Sequence, residues 1–258
     1  MTATWPKPAR WLAGALLRTL PFVLVVAIWQ GLHAAAVVSP ALLPSPRQVF
    51  EAGVRLANRG VLLDHITAST TRVLLGVVIG VTLAIPVGFV LGWFPSVRGF
   101  LDPLINFFRA LPPIALVPLV VVYVGIGENG RLFVLIYAAF FPATVVIYEG
   151  ITAIESIFVR AARVLGASGL ELFRKVVLPF TVPHILTAFR VALGVAWATL
   201  VAAELVAARK GLGAMIQDAS NFFQIPVIFL GIIVIGAVAL AMDALVRAVV
   251  ARFVTWRE

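Results

Sequence analysis

Hydrophobic positions in this chain form long runs that recur along almost the whole sequence. A helix needs about 20 apolar residues to cross roughly 30 Å of hydrocarbon, and six runs approach that length: residues 20–38, 73–94, about 104–124, 132–148, 185–208 and 225–242. In the third run, Arg109 and the sequence Leu111-Pro112-Pro113 predict a kinked or two-part span. Since lipid cannot satisfy backbone polar groups, we expect helices. The pattern predicts an all-α polytopic membrane protein with about six transmembrane helices, and residues 1–258 form one domain.

Residues 153–182 interrupt this pattern with a charged, amphipathic segment. Apolar residues recur at the spacing of one helical face: Ile154, Ile157, Phe158, Ala161, Ala162 and Leu165. Gly166 can end that helix, and Ser168 with Glu171 predicts a capping box that begins a second helix. Pro179 and Pro183 are predicted to bound the second helix. The prediction is a short helix-turn-helix at the membrane surface. Small residues at positions 161, 162 and 166 would let another surface approach closely. Periodicity alone favours an ordinary cytoplasmic loop helix.

Basic residues indicate the orientation of the chain, because they concentrate on the cytoplasmic side. With both termini inside, eleven lie in the cytoplasm: Lys7, Arg10, Arg18, Arg98, Arg160, Arg163, Arg174, Lys175, Arg247, Arg252 and Arg257. Six lie outside: Arg47, Arg55, Arg59, Arg131, Arg209 and Lys210. This bias predicts cytoplasmic N- and C-termini. The basic start and the alanines at 34–36 also fit a signal peptide, but the first apolar run is long and we favour a retained span.

The largest predicted external segment covers residues 39–71. Ser45-Pro46 is a favourable helix start, and Arg47, Glu51, Arg55 and Arg59 then recur every four residues. We expect an interfacial helix resting on the bilayer, with a docking surface for a partner as the alternative.

Composition excludes several classes of protein. Only 12% of the 258 residues are charged, against about 25% in soluble globular domains. The net charge of +9 follows the topology bias and forms no clustered basic face, so no nucleic-acid partner is expected. The chain has no phosphate-binding loop, no cysteine and no metal-ligand spacing among its three histidines. No catalytic or metal-binding residues are predicted. A membrane-embedded enzyme or a channel stays open as a different class.

Three charged residues near span interiors are candidates for a transport pathway: Arg109, Arg190 and Glu204. A charge at a helix centre costs about 2.5–3.5 kcal/mol on insertion scales, so such residues usually face a bundle interior or a pathway. The alternative is that their side chains reach to the membrane interfaces.

The sequence V-R-A-A-R-V-L-G-A-S-G-L-E-L-F-R-K-V-V-L-P at residues 159–179 resembles the coupling loop of bacterial ABC-importer permeases. The resemblance implies that this loop contacts an ATPase through Arg160, Ala161, Ala162, Arg163, Gly166, Ala167, Ser168, Leu178 and Pro179. The family pattern opens with E-A-A, whereas Arg160 stands first here, so an acidic contact cannot be carried over. Residues 108–119 and 125–128 resemble nitrate/sulfonate/taurine-type permeases, and residues 199–213 are similar to taurine permeases.

The resemblance implies a type I ABC-importer permease in the bacterial inner membrane, with residues 153–182 as its candidate coupling loop. Two copies would form the pathway, two ATPase subunits would bind ATP and Mg, and an extracytoplasmic binding protein would deliver the solute. The chain itself would bind no cofactor and would contact only membrane lipid and these partners. The implied cargo is taurine or an aliphatic sulfonate. Nitrate, bicarbonate and thiamine-precursor pyrimidines are the alternatives.

Overall fold

The computed structural model describes residues 7–205 and 208–253, and this part of the chain contains eleven α-helices and no β-strand. The helices are α1 (Lys7–Ala34), α2 (Pro46–Asn58), α3 (Val61–Trp93), α4 (Pro95–Ala110), α5 (Pro113–Val124), α6 (Glu128–Thr152), α7 (Ser156–Val164), α8 (Gly169–Leu172), α9 (Leu178–Leu205), α10 (Leu212–Asn221) and α11 (Ile225–Phe253). A π-helical turn, Phe173–Val177, joins α8 to α9. Two compact units can be distinguished, Met1–Leu62 with Asp218–Leu230, and Leu63–Gln217 with Gly231–Glu258.

In the first unit, α2 begins as the sequence predicts. The Ser45 side chain accepts a hydrogen bond from the Gln48 backbone N–H at 3.2 Å, and the Gln48 side chain accepts one from the Ser45 N–H at 2.8 Å. Arg47 and Glu51 form an exposed ion pair at 2.8 Å, one turn apart. Val49 lies on the buried side of the helix. The predicted helix start is therefore confirmed, and its position at the bilayer surface stays a prediction.

Among the described residues, four helical stretches are long and apolar enough to cross a membrane: Val61–Trp93, Glu128–Thr152, Ile225–Arg252 and Gly169–Glu204, which runs through α8, the π-turn and α9. The pair Pro95–Ala110 and Pro113–Val124 is bent by 91° and would supply a fifth span. This bend confirms the predicted break at Leu111-Pro112-Pro113. The helix α1 ends at Ala34, four residues before the end of the predicted run 20–38, and the chain turns at Ala36, which has a positive φ of 51°. A sixth span stays a prediction.

The second unit is built on close helix contacts. Along α3, Gly76, Gly80 and Gly88 face α6 so closely that an added Cβ would lie 2.5–2.7 Å from α6 side-chain atoms. Small residues at such spacing let helix backbones approach each other in a membrane. The helix α9 also packs on α6, and its buried side chains include Ala188, Ala192, Leu193, Ala196, Trp197 and Leu200. The helices α3, α6 and α9 are therefore the core that positions the candidate sites.

The helix α3 begins at Val61, twelve residues before the second apolar run at residue 73, so the last part of the predicted external segment 39–71 is helical. One predicted boundary is wrong: Pro179 and Pro183 do not bound a short second helix, because α9 runs through both. Pro179 is the second residue of α9 and follows the π-turn, in which the Leu178 N–H reaches the Phe173 carbonyl. The packing of the following apolar residues against α6 then outweighs the hydrogen bond that Pro183 lacks.

Candidate functional site

The candidate coupling loop contains the predicted helix end at Gly166. The helix α7 is capped by Leu165, and Gly166 adopts the left-handed conformation with φ of 83°. The Gly166 N–H donates to the Arg163 carbonyl, and the Ala167 N–H donates to the Ala162 carbonyl, both at 3.0 Å. This pair of bonds is the Schellman motif, which satisfies carbonyls at a helix C-terminus. The prediction for Gly166 is confirmed, but Ile154 precedes the helix and is not part of its apolar face.

The second predicted cap is also present. The Ser168 hydroxyl accepts a hydrogen bond from the Glu171 N–H at 3.3 Å, and the Glu171 carboxylate accepts one from the Ser168 N–H at 3.0 Å. Together these bonds form a capping box at the start of α8. The two caps set a tight turn between α7 and α8, so the loop has a defined shape.

The surface of the loop is apolar yet uncovered. No residue of α7 is buried, and the exposed fractions are 88% for Val164, 86% for Leu165 and 67% for Leu170. Exposed Arg160 and Arg163 border these side chains. An added Cβ at Gly166 would meet no atom within 4 Å. An apolar surface with a polar rim is typical of a contact site for another protein.

A buried ionic network lies elsewhere in the same unit. We call it the Glu204 network and define it by Asp64, His65, Ser69, Arg72, Glu128, Arg131, Glu204 and residues 210–213. At its centre, the residue Glu204 is 1% exposed. One carboxylate oxygen accepts hydrogen bonds from the Ser69 hydroxyl and the Arg72 guanidinium, both at 2.7 Å. The other accepts one from the Gly213 N–H at 2.7 Å. The buried charge is thus both paired and hydrogen-bonded, as burial requires.

Arg72 connects three parts of the network. Its guanidinium binds both oxygens of Glu128, at 2.7 and 2.6 Å, and also the Lys210 carbonyl at 2.6 Å. Arg131 adds a bond to Glu128 at 2.9 Å. Arg72 is not among the candidate residues predicted from the sequence. The one signal that could have identified it is the buried carboxylate of Glu204, which needs a positive partner from another helix.

The network also fixes the segment that follows α9. Lys210 pairs with Asp64 at 2.8 Å, and the Gly211 N–H donates to the His65 ring at 3.0 Å. Gly211 has a φ of 141°, and a Cβ there would lie 2.3 Å from a Glu204 oxygen. Only glycine fits this combination of backbone shape and contact.

The network and the candidate coupling loop lie at opposite ends of the same helices. The network takes residues from the start of α6 and the end of α9, whereas the loop connects the end of α6 to the start of α9. The helix α6 has 25 residues, which corresponds to roughly 37 Å at about 1.5 Å per residue. This length exceeds the hydrocarbon core of about 30 Å. The two sites can therefore face opposite sides of a membrane.

The three candidate pathway residues have different surroundings, and the structure does not bring them together. Glu204 is at the centre of its network. Arg190, on α9, pairs with Asp243 of α11 at 3.0 Å, and Asp243 also binds Arg247 at 2.7 Å. Arg109 lies in the last turn of α4, next to the bend, where it is exposed. Across residues 7–205 and 208–253, no group of three acidic or histidine side chains could hold a metal ion.

Comparison with known proteins identifies relatives over nearly the whole chain. Residues 76–255 match the model of the family described as binding-protein-dependent transport system inner membrane component. A probable ABC transporter permease protein of Brucella abortus is 42% identical over 96% of this chain and 98% of its own length. The taurine transport system permease protein TauC of Escherichia coli is 38% identical over 90% of this chain and 86% of its own length.

A solved structure has a similar fold. A chain of the MetNI methionine ABC transporter, captured in inward-facing conformations, aligns with a TM-score of 0.55 and 22% identity. The alignment covers 77% of this chain and 98% of that chain.

Proposed function

Because the chain belongs to the binding-protein-dependent transport system inner membrane component family of ABC importers, we propose that it passes taurine or a related aliphatic sulfonate across the membrane. The similarity to a taurine permease over 90% of the chain supports this cargo. Nitrate, bicarbonate and thiamine-precursor pyrimidines are the alternatives within the same class of transporter. A binding protein outside the cell selects the solute, and this chain needs only to let it pass.

The observation that carries the mechanism is the uncovered apolar surface of the candidate coupling loop. Two ATPase subunits, which bind ATP and Mg, dock on the loops of two permease copies. ATP binding draws the ATPases and both loops together, which opens the pathway to the outside, and hydrolysis resets it. This is a two-state element biased from two sites. The contact is made through the apolar residues of the loop and the small residues at 161, 162 and 166.

The Glu204 network supports this mechanism from the other end of the helices. It ties α3, α6 and α9 to one another by charge-assisted hydrogen bonds, which are about twice as strong as neutral ones. Movement at the loop therefore displaces these helices as one body. The network keeps the helix ends together while the pathway changes shape.

The proposed topology has both termini in the cytoplasm, the candidate coupling loop inside and the Glu204 network outside. The chain has no cysteine, so single cysteines report their side of the membrane. Arg47→Cys and Ser220→Cys are exposed positions that should react with an impermeant thiol reagent added to intact cells. Leu165→Cys should react only after the membrane is opened. Labelling of Leu165→Cys from outside would overturn the topology.

Coupling is tested at the tight turn of the loop. Gly166→Asp adds a charge where the ATPase approaches, and aspartate tolerates the left-handed conformation better than most residues. We expect normal insertion and expression but no ATP-driven uptake, and the same for Ala161→Glu. Arg163→Gln, on the rim, is the milder control. Normal uptake by both variants would rule out this loop as the coupling site.

The cargo is tested on the assembled transporter. Reconstituted with its ATPase and binding protein, the chain should support faster ATP hydrolysis when the binding protein carries taurine than when it is empty. Calorimetry of the binding protein with each candidate solute identifies the ligand. Tight binding of nitrate, bicarbonate or a pyrimidine, with none of taurine or alkanesulfonates, would show the substrate proposal to be wrong while the transporter class stands.

A further inference from the structure

Arg109 differs from the other two candidate pathway residues in its electrostatic surroundings. Glu204 and Arg190 each have an oppositely charged partner within 3.0 Å. In the part of the chain that the structure describes, no carboxylate lies within 4.0 Å of Arg109. Its side chain is exposed on the protomer. The positive charge of Arg109 is therefore available to a group outside this protomer.

The depth of Arg109 makes contact with lipid unfavourable. The helix α5 has 12 residues, which corresponds to about 18 Å. With Gly125 at the outer boundary, as in the proposed topology, the start of α5 lies deep in a hydrocarbon core about 30 Å thick. Arg109 adjoins this point across the 91° bend. An exposed charge at this depth is stable when it faces water or another protein surface, and such residues mark solute pathways.

The bend that holds Arg109 is rigid. Pro112 and Pro113 prevent α4 from continuing. The carbonyl of Phe108 accepts a hydrogen bond from the Tyr137 hydroxyl of α6. The Phe108 ring stacks on Phe141 with centroids 5.4 Å apart. The neighbour of Arg109 in the chain is thus anchored twice to α6, so the backbone of Arg109 is held in place, as a binding residue requires.

We propose that Arg109 contacts the anionic group of the solute in the pathway between two copies of this chain. This inference rests on the proposed function. Two copies bring two guanidinium groups to the same depth of the pathway, so both positive charges attract an anionic solute there. A sulfonate or carboxylate accepts charge-assisted hydrogen bonds from them. The solute class is therefore a small oxyanion or a zwitterion, and an uncharged solute gains nothing from this residue.

Transport measurements on the reconstituted complex test the contact. We expect Arg109→Gln to lower the initial rate of taurine uptake by about tenfold or more, the effect of losing one charge-assisted hydrogen bond. Stimulation of ATP hydrolysis by the loaded binding protein should stay near wild type. Arg109→Lys should restore part of the uptake. The matched control Arg98→Gln removes a charge near the start of the same helix and should transport normally. Equal uptake by Arg109→Gln and Arg98→Gln would overturn the proposal, as would loss of both uptake and ATP hydrolysis in Arg109→Gln.

Thiol labelling gives a readout that does not depend on the cargo. Arg109→Cys, in a chain without other cysteines, should react with (2-sulfonatoethyl) methanethiosulfonate in the assembled transporter, because this reagent carries a sulfonate into the aqueous pathway. Absence of reaction in both nucleotide-free and ATP-bound complexes would place the residue against lipid or protein and contradict the proposal. If the wild type transports a different anion, the substrate proposal fails, and Arg109→Gln is then expected to impair uptake of that anion instead.

Discussion

The Glu204 network and the candidate coupling loop lie at opposite ends of α6 and α9. They differ in how many of their side chains are bonded or covered by other residues of the same chain. In the network, Glu204 is 1% exposed and its carboxylate accepts three hydrogen bonds. In the loop, the turn between α7 and α8 is capped on both sides, but Val164 and Leu165 are 88% and 86% exposed. The polar groups of the network find their partners within one chain. The loop has a defined backbone conformation, but its apolar side chains are not covered by the same chain. Changes in the network should therefore affect stability, and changes on the loop should affect a partner.

The largest effect on stability is expected at Glu204. Glu204→Gln removes the negative charge that Arg72, Ser69 and Gly213 share, and breaking a buried ion pair costs about 3–5 kcal/mol. Unfolding of the detergent-solubilised protein measures the change. Glu128→Gln is the matched control. The Glu128 side chain is 62% exposed, so water can replace the interactions that this substitution removes. Equal stability of the two variants would show that burial of Glu204 does not matter.

A smaller loss is expected from one added methyl group. Gly211→Ala forces a Cβ to within 2.3 Å of a Glu204 oxygen at a φ of 141°, and such strain costs on the order of 1–3 kcal/mol. Gly166→Ala makes the same change at φ of 83° with no atom within 4 Å, so only the backbone strain of about 1–2 kcal/mol applies. The same unfolding assay compares the two. A larger loss of stability in Gly166→Ala than in Gly211→Ala would contradict the expectation that the contact with Glu204 adds to the backbone strain.

The ion pair Arg190–Asp243 should have a coupling energy that lies between the stability losses expected at Glu204 and on the loop. Its side chains are 38% and 28% exposed, so it is less enclosed than the network. A double-mutant cycle with Arg190→Gln and Asp243→Asn should give a coupling energy of about 0.6–1.7 kcal/mol, as measured for polar pairs between membrane helices. A coupling energy indistinguishable from zero would show that the pair does not hold α9 to α11.

The smallest effect on stability is expected on the loop. Leu165→Asp replaces a side chain that touches little of its own chain, so the free energy of unfolding should change by at most about 0.5 kcal/mol. The same unfolding assay checks this value. A loss comparable with that of Glu204→Gln would mean that the loop surface is packed within the protomer.

Sequence reasoning succeeded where the structural cause is local. Ser168 with Glu171, and Gly166 after an apolar helical face, predicted both caps, because these bonds join residues at most five apart in sequence. The break at Leu111-Pro112-Pro113 was predicted for the same reason, since proline acts on its immediate neighbours.

The network could not be predicted, because its partners are distant along the chain. Ser69 and Glu204 are 135 residues apart, and Arg72 and Glu204 are 132 apart. Composition and periodicity identify Glu204 as unusual but give no partner. The helix end predicted at Pro179 was wrong for a related reason: packing of α9 along α6, which the local pattern does not show, carries the helix through both prolines.

The central claim is that the uncovered surface of the candidate coupling loop receives the ATPase. The affinity of the solubilised permease for its ATPase subunits tests this claim most directly, measured for the wild type and for Leu165→Asp. The account predicts that Leu165→Asp weakens association by about tenfold or more, as for an apolar anchor at the centre of an interface, while unfolding is unchanged. Wild-type affinity in Leu165→Asp, together with wild-type affinity in Gly166→Asp, would contradict the account.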